Sequence, residues 1–299
     1  MVERMRNGTA PPARPAAAIL LVIAVAALGT LSDSLIKHLG GLYPTAEVLF
    51  ARMAVGLAWM GAVCATAGER PWRTAQPGWQ ALYAAVLAAA IALWFAALPR
   101  LPLADATAIS FAAPVAVALM AGPLLGERLR RSQWAAVAVA FAGVLLINRP
   151  AGDALGVGGA LALGSMLLSA LSFVLLRRLG RRDGPRTTTF FATAAGFALS
   201  LGLAGDGWRW PAAGDVPLLL ALGTLTTVAQ LLSAQAYRMA PAPLLAPFDY
   251  ARVLFVLAAA TLVFGESIGP ASLAGLALIV GGGLLLGLQE SARPPEGAQ

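Results

Sequence analysis

The sequence has little of what soluble enzymes commonly use for chemistry. Its 299 residues include one cysteine, Cys64, and one histidine, His38. One cysteine cannot form an intrachain disulfide, and one of each cannot make an ordinary His/Cys metal site. The sequence also has no GxxxxGK[ST] phosphate loop and no GxSxG nucleophile motif. These absences exclude ATP-driven pumping by this chain alone and serine hydrolase chemistry, so we expect no metal, no cofactor and no catalytic residue.

Charge is also scarce, whereas apolar residues are abundant. Only 12% of the residues are charged and 59% are hydrophobic, with 32 glycines and 20 prolines, a profile typical of membrane proteins. A bilayer core about 30 Å thick needs about 20 mostly apolar residues per spanning helix. Ten segments meet this requirement, at residues 17–38, 45–67, 79–98, 103–125, 132–149, 155–176, 187–205, 214–236, 241–264 and 270–288. The sequence therefore predicts an all-α polytopic membrane protein with ten transmembrane helices.

The positions of the basic residues predict the orientation of these spans. With the N-terminus inside, the cytoplasmic segments contain fifteen arginines, against one lysine and three arginines on the other side. This excess favours a multi-pass protein of the bacterial inner membrane with both termini in the cytoplasm. The net charge of +7 does not indicate nucleic-acid binding, because these residues lie in short loops between spans. Residues 1–15 and 290–299 are predicted to be disordered cytoplasmic ends.

The two halves of the chain resemble each other. The stretch "TLSDSLIKHLG" from residue 30 aligns with "ALSFVLLRRLG" from residue 170, and after a shift of one residue "LGERL" from 125 aligns with "FGESI" from 264. The same register pairs Gly143 with Gly282. Two repeats, at residues 16–150 and 151–289, would each cross the membrane five times, so the second would be inverted. Inverted repeats are typical of secondary transporters, which bind substrate near the middle of the membrane.

These residues resemble the EamA-type transporters of the drug/metabolite transporter superfamily. The resemblance rests on "PTAEVLFARMAVGL" in the second span, with Glu47 and Arg52, and on the Gly-Glu pair before the last span of each repeat. It implies two inverted five-helix repeats around a central cavity lined mainly by the first, third, fourth, sixth, eighth and ninth helices. Many similar proteins export amino acids, including aromatic ones. Because the second helix is outside this set, we interpret Glu47 and Arg52 as structural.

Polar and aromatic side chains on the cavity helices are the candidate substrate ligands. In the eighth helix, Thr227, Gln230 and Ser233 recur at helical spacing and share one face. Such a stripe lines a water-filled path or makes contacts between helices, and the aromatic residues face substrate, lipid or neighbouring helices. The predicted substrate-binding residues are Trp94, Ser110, Phe111, Ser165, Ser169, Phe173, Thr227, Gln230, Ser233, Phe248, Tyr250 and Arg252.

Charged residues within the spans are the other candidates, because an isolated charge in a bilayer is costly. Asp249 and Arg252 are three residues apart, so they would share a helix face and neutralise each other. This pair is either structural or a site for the carboxylate and ammonium of an amino acid. Asp33 precedes Lys37 by four residues and lies deeper in its span. We expect Asp33 and Asp249 to be the proton-coupling candidates.

The sequence thus predicts a secondary transporter, not an enzyme, that exports small amphipathic metabolites by alternating access. Amino acids, including aromatic ones, are the expected substrates, and the lipid bilayer and a small molecule are the expected partners. We expect a monomer that binds no nucleic acid. Uptake or exchange of another polar metabolite or a drug is the alternative, and a membrane-embedded enzyme is the second alternative.

Overall fold

The described residues of the chain are helices and connecting turns, without a β-strand among them. The computed structural model describes residues 15–68, 70–97, 100, 109–127, 131–148, 156–203, 208–255, 258, 270, 274–275, 277–282 and 285. The helices are α1 Pro15–Gly40, α2 Thr45–Thr66, α3 Pro77–Ala97, α4 Ala113–Leu125, α5 Arg131–Asn148, α6 Val157–Leu179, α7 Pro185–Gly202, α8 Val216–Met239 and α9 Ala242–Leu245. By length and composition, five described helices are suited to cross a membrane: α1, α2, α3, α6 and α8. Ala113–Leu125 and Trp134–Gly143 are shorter apolar helical stretches.

Proline and glycine mark several helix ends. Helices α3 and α7 begin at Pro77 and Pro185, because the first turn of a helix tolerates a residue without an N–H donor. Helix α4 is followed by Gly126, whose φ of 74° is left-handed and whose N–H bonds to the carbonyl of Gly122. Glycine adopts this conformation without steric cost, which explains the end of α4.

The ninth predicted span differs from the sequence expectation at its start. We expected one continuous helix over residues 241–264, but the chain forms the four-residue helix α9 and then a 3₁₀ helix, Ala246–Tyr250. Pro243 and Pro247 explain this difference, because proline has no N–H to donate and restricts the residue before it. The fourth predicted span, 103–125, has a turn at residues 111–112 just before α4, and residues 101–108 lie outside the described part.

The chain divides into two compact units, which do not coincide with the two sequence repeats. The first unit comprises the described residues of Met1–Ala92 and Leu175–Met239, and the second those of Leu93–Val174 and Ala240–Gln299. Each unit therefore combines segments of both halves of the chain.

In the first unit, glycines bring α2, α7 and α8 into close contact. Helix α1 packs against α8, and α2 packs against both α7 and α8. A Cβ atom on Gly56 would lie 2.7 Å from the Thr227 hydroxyl oxygen, and one on Gly196 would lie 2.7 Å from the Met53 methyl group. A Cβ on Gly223 would overlap Val55. Small residues at such contacts are the usual means by which membrane helices approach closely.

Two polar contacts tie the loops of the first unit together. Asp183, between α6 and α7, is 5% exposed. Its carboxylate accepts hydrogen bonds from the Thr74 hydroxyl (2.6 Å), the Ala75 N–H (3.0 Å) and the Gln80 amide (2.8 Å). These contacts hold the segment before α3 against the turn between α6 and α7.

The second polar contact of this unit centres on Tyr43, between α1 and α2. Its hydroxyl donates to the Asp215 carboxylate (2.7 Å) and accepts from the Ala212 N–H (2.9 Å). The hydrogen bond to Asp215 raises the pKa of Tyr43, which favours the protonated, donating form. Tyr43 and Asp183 follow α1 and α6 at equivalent positions of the sequence repeat, so each half of the chain anchors a loop from the same place.

In the second unit, residues that correspond in the two sequence repeats make reciprocal contacts. A Cβ on Gly143 would lie 2.5 Å from the carbonyl oxygen of Gly275, and one on Gly282 would lie 2.7 Å from that of Ala136. Gly143 corresponds to Gly282, and in the same register Ala136 corresponds to Gly275. Each contact is thus the counterpart of the other, as in an isologous interface.

Candidate functional site

The polar stripe of α8 contacts α7. Thr227 is 2% exposed and its hydroxyl donates to the Gly223 carbonyl at 2.7 Å. Gln230 and Ser233 are half-buried. The Thr193 hydroxyl of α7 lies 3.2 Å from Gln230 Oε1 and 2.8 Å from the Thr189 carbonyl oxygen, and these two acceptors share its single proton. Within the stripe, Thr227 is therefore packed against a neighbouring helix, whereas Gln230 and Ser233 keep partly exposed polar groups.

Asp33 is exposed on α1 and acts on a cation of a different helix. Its carboxylate stabilises the positive charge of Arg52 on α2. Arg52 Nε is buried and makes no hydrogen bond. The predicted neighbour Lys37 lies in α1, but its side chain is outside the described set. Asp33, the proton-coupling candidate of α1, therefore has an electrostatic partner on α2.

In the second unit, two aromatic candidates contact each other. The rings of Phe111 and Tyr250 have centroids 6.3 Å apart, and these residues are counterparts in the sequence repeat. Both lie with Val253 and Ala140 in one apolar cluster. Tyr250 is completely buried, and its hydroxyl has no hydrogen-bond partner. A buried hydroxyl without a partner is unfavourable.

Asp249 and Arg252 lie on either side of the end of the 3₁₀ helix. Asp249 is within it, Arg252 follows it, and both are half-buried. Arg252 stabilises the Asp249 carboxylate electrostatically. The proximity predicted from their spacing is therefore present, although the backbone between them is not a regular α-helix. Phe248, in the same 3₁₀ helix, is half-buried.

The other candidates of the second unit lie on α3, α6 and the turn before α4. Ser165 and Ser172 are buried, and the Ser172 hydroxyl donates to the Ser169 carbonyl at 2.7 Å. Trp94 packs against a small cluster centred on Ala97 and Ala162. The remaining candidates are half-buried; they are Ser110, Phe173 and Ser169. Within the described ranges, no three His, Cys, Asp or Glu residues come close enough to hold a metal ion.

Two residues near the candidates did not enter the predicted site. Thr193 contacts Gln230 from α7, a helix that was absent from the expected cavity lining. Arg52, interpreted as structural, is the charged neighbour of Asp33. The repeated threonines of "RTTTFF" and the lone arginine within the second span are the sequence signals for these contacts, but neither signal identifies the partner helix.

Comparison with known proteins gives full-length similarity to transporters. A riboflavin transporter of Rhizobium johnstonii is 30% identical over 277 residues, which cover 92% of this chain and 91% of that protein. A pseudopaline exporter of Pseudomonas aeruginosa is 26% identical and covers 88% of this chain and 93% of its own length.

A solved structure supports the fold independently. A protein crystal structure superposes with a TM-score of 0.80 at 22% sequence identity, covering 94% of this chain and all of that one. The family model for EamA-like transporters matches twice, at residues 16–149 and 156–288. The chain is a membrane transporter, not an enzyme, and it belongs to the EamA-like transporter family.

Proposed function

We propose that this protein is a secondary transporter that moves a small amphipathic metabolite across the inner membrane by alternating access between two inverted repeats. The observation that carries the proposal is the similarity to a riboflavin transporter along nine-tenths of both chains. Similarity of this extent covers both EamA repeats and every candidate residue.

The reciprocal contacts of Gly143 and Gly282 support a two-fold relation between the repeats, which the inverted arrangement requires. A two-fold axis turns each partner into the other, so corresponding residues make equivalent contacts in both directions. The Phe111–Tyr250 contact pairs two repeat counterparts in the same way. An axis of this kind in the membrane plane relates the repeats of many secondary transporters.

Riboflavin is the first substrate candidate, because it is the named substrate of the similar protein from Rhizobium johnstonii. Aromatic side chains suit a substrate with a flat ring. The predicted ligands Trp94, Phe111, Phe248 and Tyr250 supply such surfaces, and the unpartnered Tyr250 hydroxyl supplies a polar contact.

Amino acid export is the second candidate, and the pair of Asp249 and Arg252 favours it. Arg252 would bind the substrate carboxylate and Asp249 its ammonium group. Asp249 and Asp33 would also carry the coupling proton.

Counterflow in sealed proteoliposomes tests these proposals. Vesicles loaded with unlabelled riboflavin should accumulate external labelled riboflavin, whereas protein-free vesicles should not. Vesicles loaded with aromatic amino acids test the second candidate in the same way. The label should be recovered chemically unchanged. If folded protein moves neither class of compound, or if the label is converted, the proposed function is wrong.

The paired charges need a double variant, because removing one member of a charge pair within a span leaves the other without its counter-charge and destabilises the protein. Asp249→Asn combined with Arg252→Gln removes both charges together. If the pair binds amino acids, this variant should be folded but inactive towards them. Full amino acid transport by the double variant would show that the pair is structural.

A further inference from the structure

A strongly basic surface of the first unit lies where α6 ends and α3 begins. The Gln76 amide donates to the Leu179 carbonyl at 3.3 Å, and Asp183 bonds to the segment before α3. These contacts hold residues 70–80 against residues 177–186, and both segments belong to the first unit. We call the surface that the two segments form the basic face.

Positive charge is in large excess on the basic face. Its two segments contain seven arginines and one acid, Asp183, and Glu69 directly precedes the first segment. The Asp183 carboxylate is buried and accepts hydrogen bonds from the neutral groups of Thr74, Ala75 and Gln80. The exposed arginines are Arg70, Arg73, Arg181 and Arg182. The accessible part of the face is therefore basic, because these arginines are exposed whereas Asp183 is not.

The helix ends place the basic face at the boundary between membrane and water. Helices α2, α3 and α6 are suited to cross a membrane, and α2 ends at Thr66, α3 begins at Pro77 and α6 ends at Leu179. Trp72 and Trp79 are 59% and 38% exposed. Exposed tryptophans beside the ends of spanning helices are typical of the depth of the lipid headgroups. The arginines of the face therefore lie at the depth where phospholipids carry their phosphates.

Arg178 is positioned by one of these tryptophans. Its guanidinium carbon lies 3.9 Å from the centre of the Trp79 ring, and its side chain is half-buried. The preceding Arg177 is used differently, because its Nη1 donates to the carbonyls of Tyr237 and Arg238 near the end of α8. A guanidinium that is already stacked on a ring loses little conformational freedom when it binds an anion, and its planar N–H groups match the oxygens of a phosphate.

Two exposed arginines flank the contact between the two segments. The Thr74 hydroxyl donates to the Asp183 carboxylate at 2.6 Å, and Arg73 and Arg182 are the chain neighbours of these two residues. Because this bond holds the two backbones side by side, both arginines begin in the same part of the face. Both side chains are long and exposed, so one headgroup can contact both charges.

We propose that the basic face binds the headgroup of an anionic phospholipid, with Arg73, Arg178 and Arg182 as the cations that contact its phosphate. Trp72 and Trp79 anchor the face at the depth of that headgroup. Basic clusters beside spanning helices attract anionic lipids, and the position at the helix ends favours a lipid over a soluble phosphate. This binding does not depend on the identity of the transported substrate.

Titration of the purified full chain with phosphatidylglycerol tests the site. The lipid is added to detergent micelles that contain the protein, and the thermal unfolding midpoint is measured. Phosphatidylglycerol should raise the midpoint, whereas phosphatidylcholine with the same acyl chains should not, because its choline group cancels the phosphate charge. The effect should decline as sodium chloride is added, since salt screens exposed charges. Inorganic phosphate at equal ionic strength should have no effect.

Single substitutions locate the site on the protein. Arg73→Gln and Arg182→Gln should each weaken phosphatidylglycerol binding about fivefold, and the double variant about twentyfold. Both side chains are exposed, so these variants should fold normally. Arg209→Gln is the matched control, because it also removes one exposed arginine. The Arg209 backbone N–H bonds to Glu47 at the start of α2, roughly 30 Å from the end of that helix, so this variant should bind like the wild type.

Two further variants separate charge and positioning from a merely structural effect. Arg73→Lys combined with Arg182→Lys keeps both charges and should retain most of the binding. Trp79→Leu should weaken binding about two- to fivefold, because Arg178 loses the ring on which it stacks; normal binding would refute the role of Arg178. The proposal is overturned if phosphatidylglycerol does not stabilise the wild type, if inorganic phosphate stabilises it equally, or if the double glutamine variant binds like Arg209→Gln.

Discussion

Among single residues, Tyr250 is the most informative candidate ligand. It is completely buried, yet its hydroxyl makes no hydrogen bond, so the hydroxyl does not stabilise the fold in the described state. We expect Tyr250→Phe to leave the thermal unfolding midpoint unchanged or higher. The phenylalanine at the repeat counterpart, Phe111, indicates that this ring type fits. If the hydroxyl bonds substrate, the half-saturating concentration for transport should rise about three- to tenfold.

Tyr83→Phe is the control for that prediction, since Tyr83 is also buried, at 5% exposure, and is not a candidate ligand. Both variants should be compared for stability and transport in the same vesicles. Unchanged transport by Tyr250→Phe would remove the Tyr250 hydroxyl from the proposed site.

Gln230 gives a second prediction for a single residue. We expect Gln230→Leu to reduce transport with little loss of folded protein. The proton of the Thr193 hydroxyl is shared between Gln230 and the Thr189 carbonyl of its own helix, so the hydroxyl keeps a partner. The control is Val228→Leu, on the opposite side of α8. Normal transport by Gln230→Leu together with loss in Val228→Leu would place the functional face of α8 on the other side.

The spacing of residues along the sequence predicted which charged side chains lie close together only where both belong to one short segment. The proximity of Asp249 and Arg252 follows from their separation by three residues, and the structure brings their charges together. The Arg52 neighbour of Asp33 lies on another helix, and no local pattern in the sequence indicates which helices pack together.

At the scale of helices, the closest approaches occur at glycines. A Cβ on Gly143 would lie 2.5 Å from the Gly275 carbonyl oxygen, and one on Gly282 would lie 2.7 Å from the Ala136 carbonyl oxygen. We expect Gly143→Ala and Gly282→Ala each to destabilise the protein by about 1–3 kcal/mol, because backbone on both sides must shift.

Gly61→Ala is the matched control, since a Cβ at this helical glycine would meet nothing within 4 Å. It should be neutral or stabilising by up to about 1 kcal/mol, because alanine loses less backbone entropy in a helix. Thermal unfolding in detergent measures all three variants. Equal stability of the three would refute the reciprocal close contact.

Loss of the Asp183 carboxylate should destabilise the protein at the loop between α6 and α7. Its carboxylate accepts from Thr74, Ala75 and Gln80, and Asp183→Ala leaves these donors unsatisfied. We expect a loss of about 2–4 kcal/mol, read as a lower thermal unfolding midpoint. Asp215→Asn at the Tyr43 contact should cost less, because an amide oxygen can still accept from the Tyr43 hydroxyl. An Asp183→Ala variant as stable as the wild type would contradict this role.

Most helix positions in the described part of the chain were predictable, whereas the breaks in the fourth and ninth predicted spans were missed. Apolar runs flanked by proline, glycine and arginine predict helices such as α2 and α8 to within a few residues. The 3₁₀ helix Ala246–Tyr250 was missed because it lies inside a segment, 241–264, that is apolar enough overall to be predicted as one span. Hydropathy measures how readily side chains transfer from water to an apolar environment. The break in this helix is instead caused by the missing backbone N–H groups of Pro243 and Pro247.

For the whole molecule, membership of the EamA-like family makes this chain a transporter, and inversion of its repeats is the feature on which the proposed alternating access depends. Leu42 and Arg182 are counterparts in the sequence repeat, since each lies two residues after one of the aligned glycines, Gly40 and Gly180. Both side chains are exposed. Asp183 is unsuitable as a labelling position because it is buried and hydrogen-bonded.

Cysteine accessibility in intact cells tests this inversion most directly. Leu42→Cys and Arg182→Cys are made separately in a Cys64→Ala background, because Cys64 is the only native thiol, and each variant is treated with a membrane-impermeant thiol reagent. Inverted repeats with cytoplasmic termini predict that the cysteine at 42 reacts from outside, and that the one at 182 reacts only after the cells are permeabilised. Labelling of both positions from the same side would mean parallel repeats and would contradict alternating access between inverted halves.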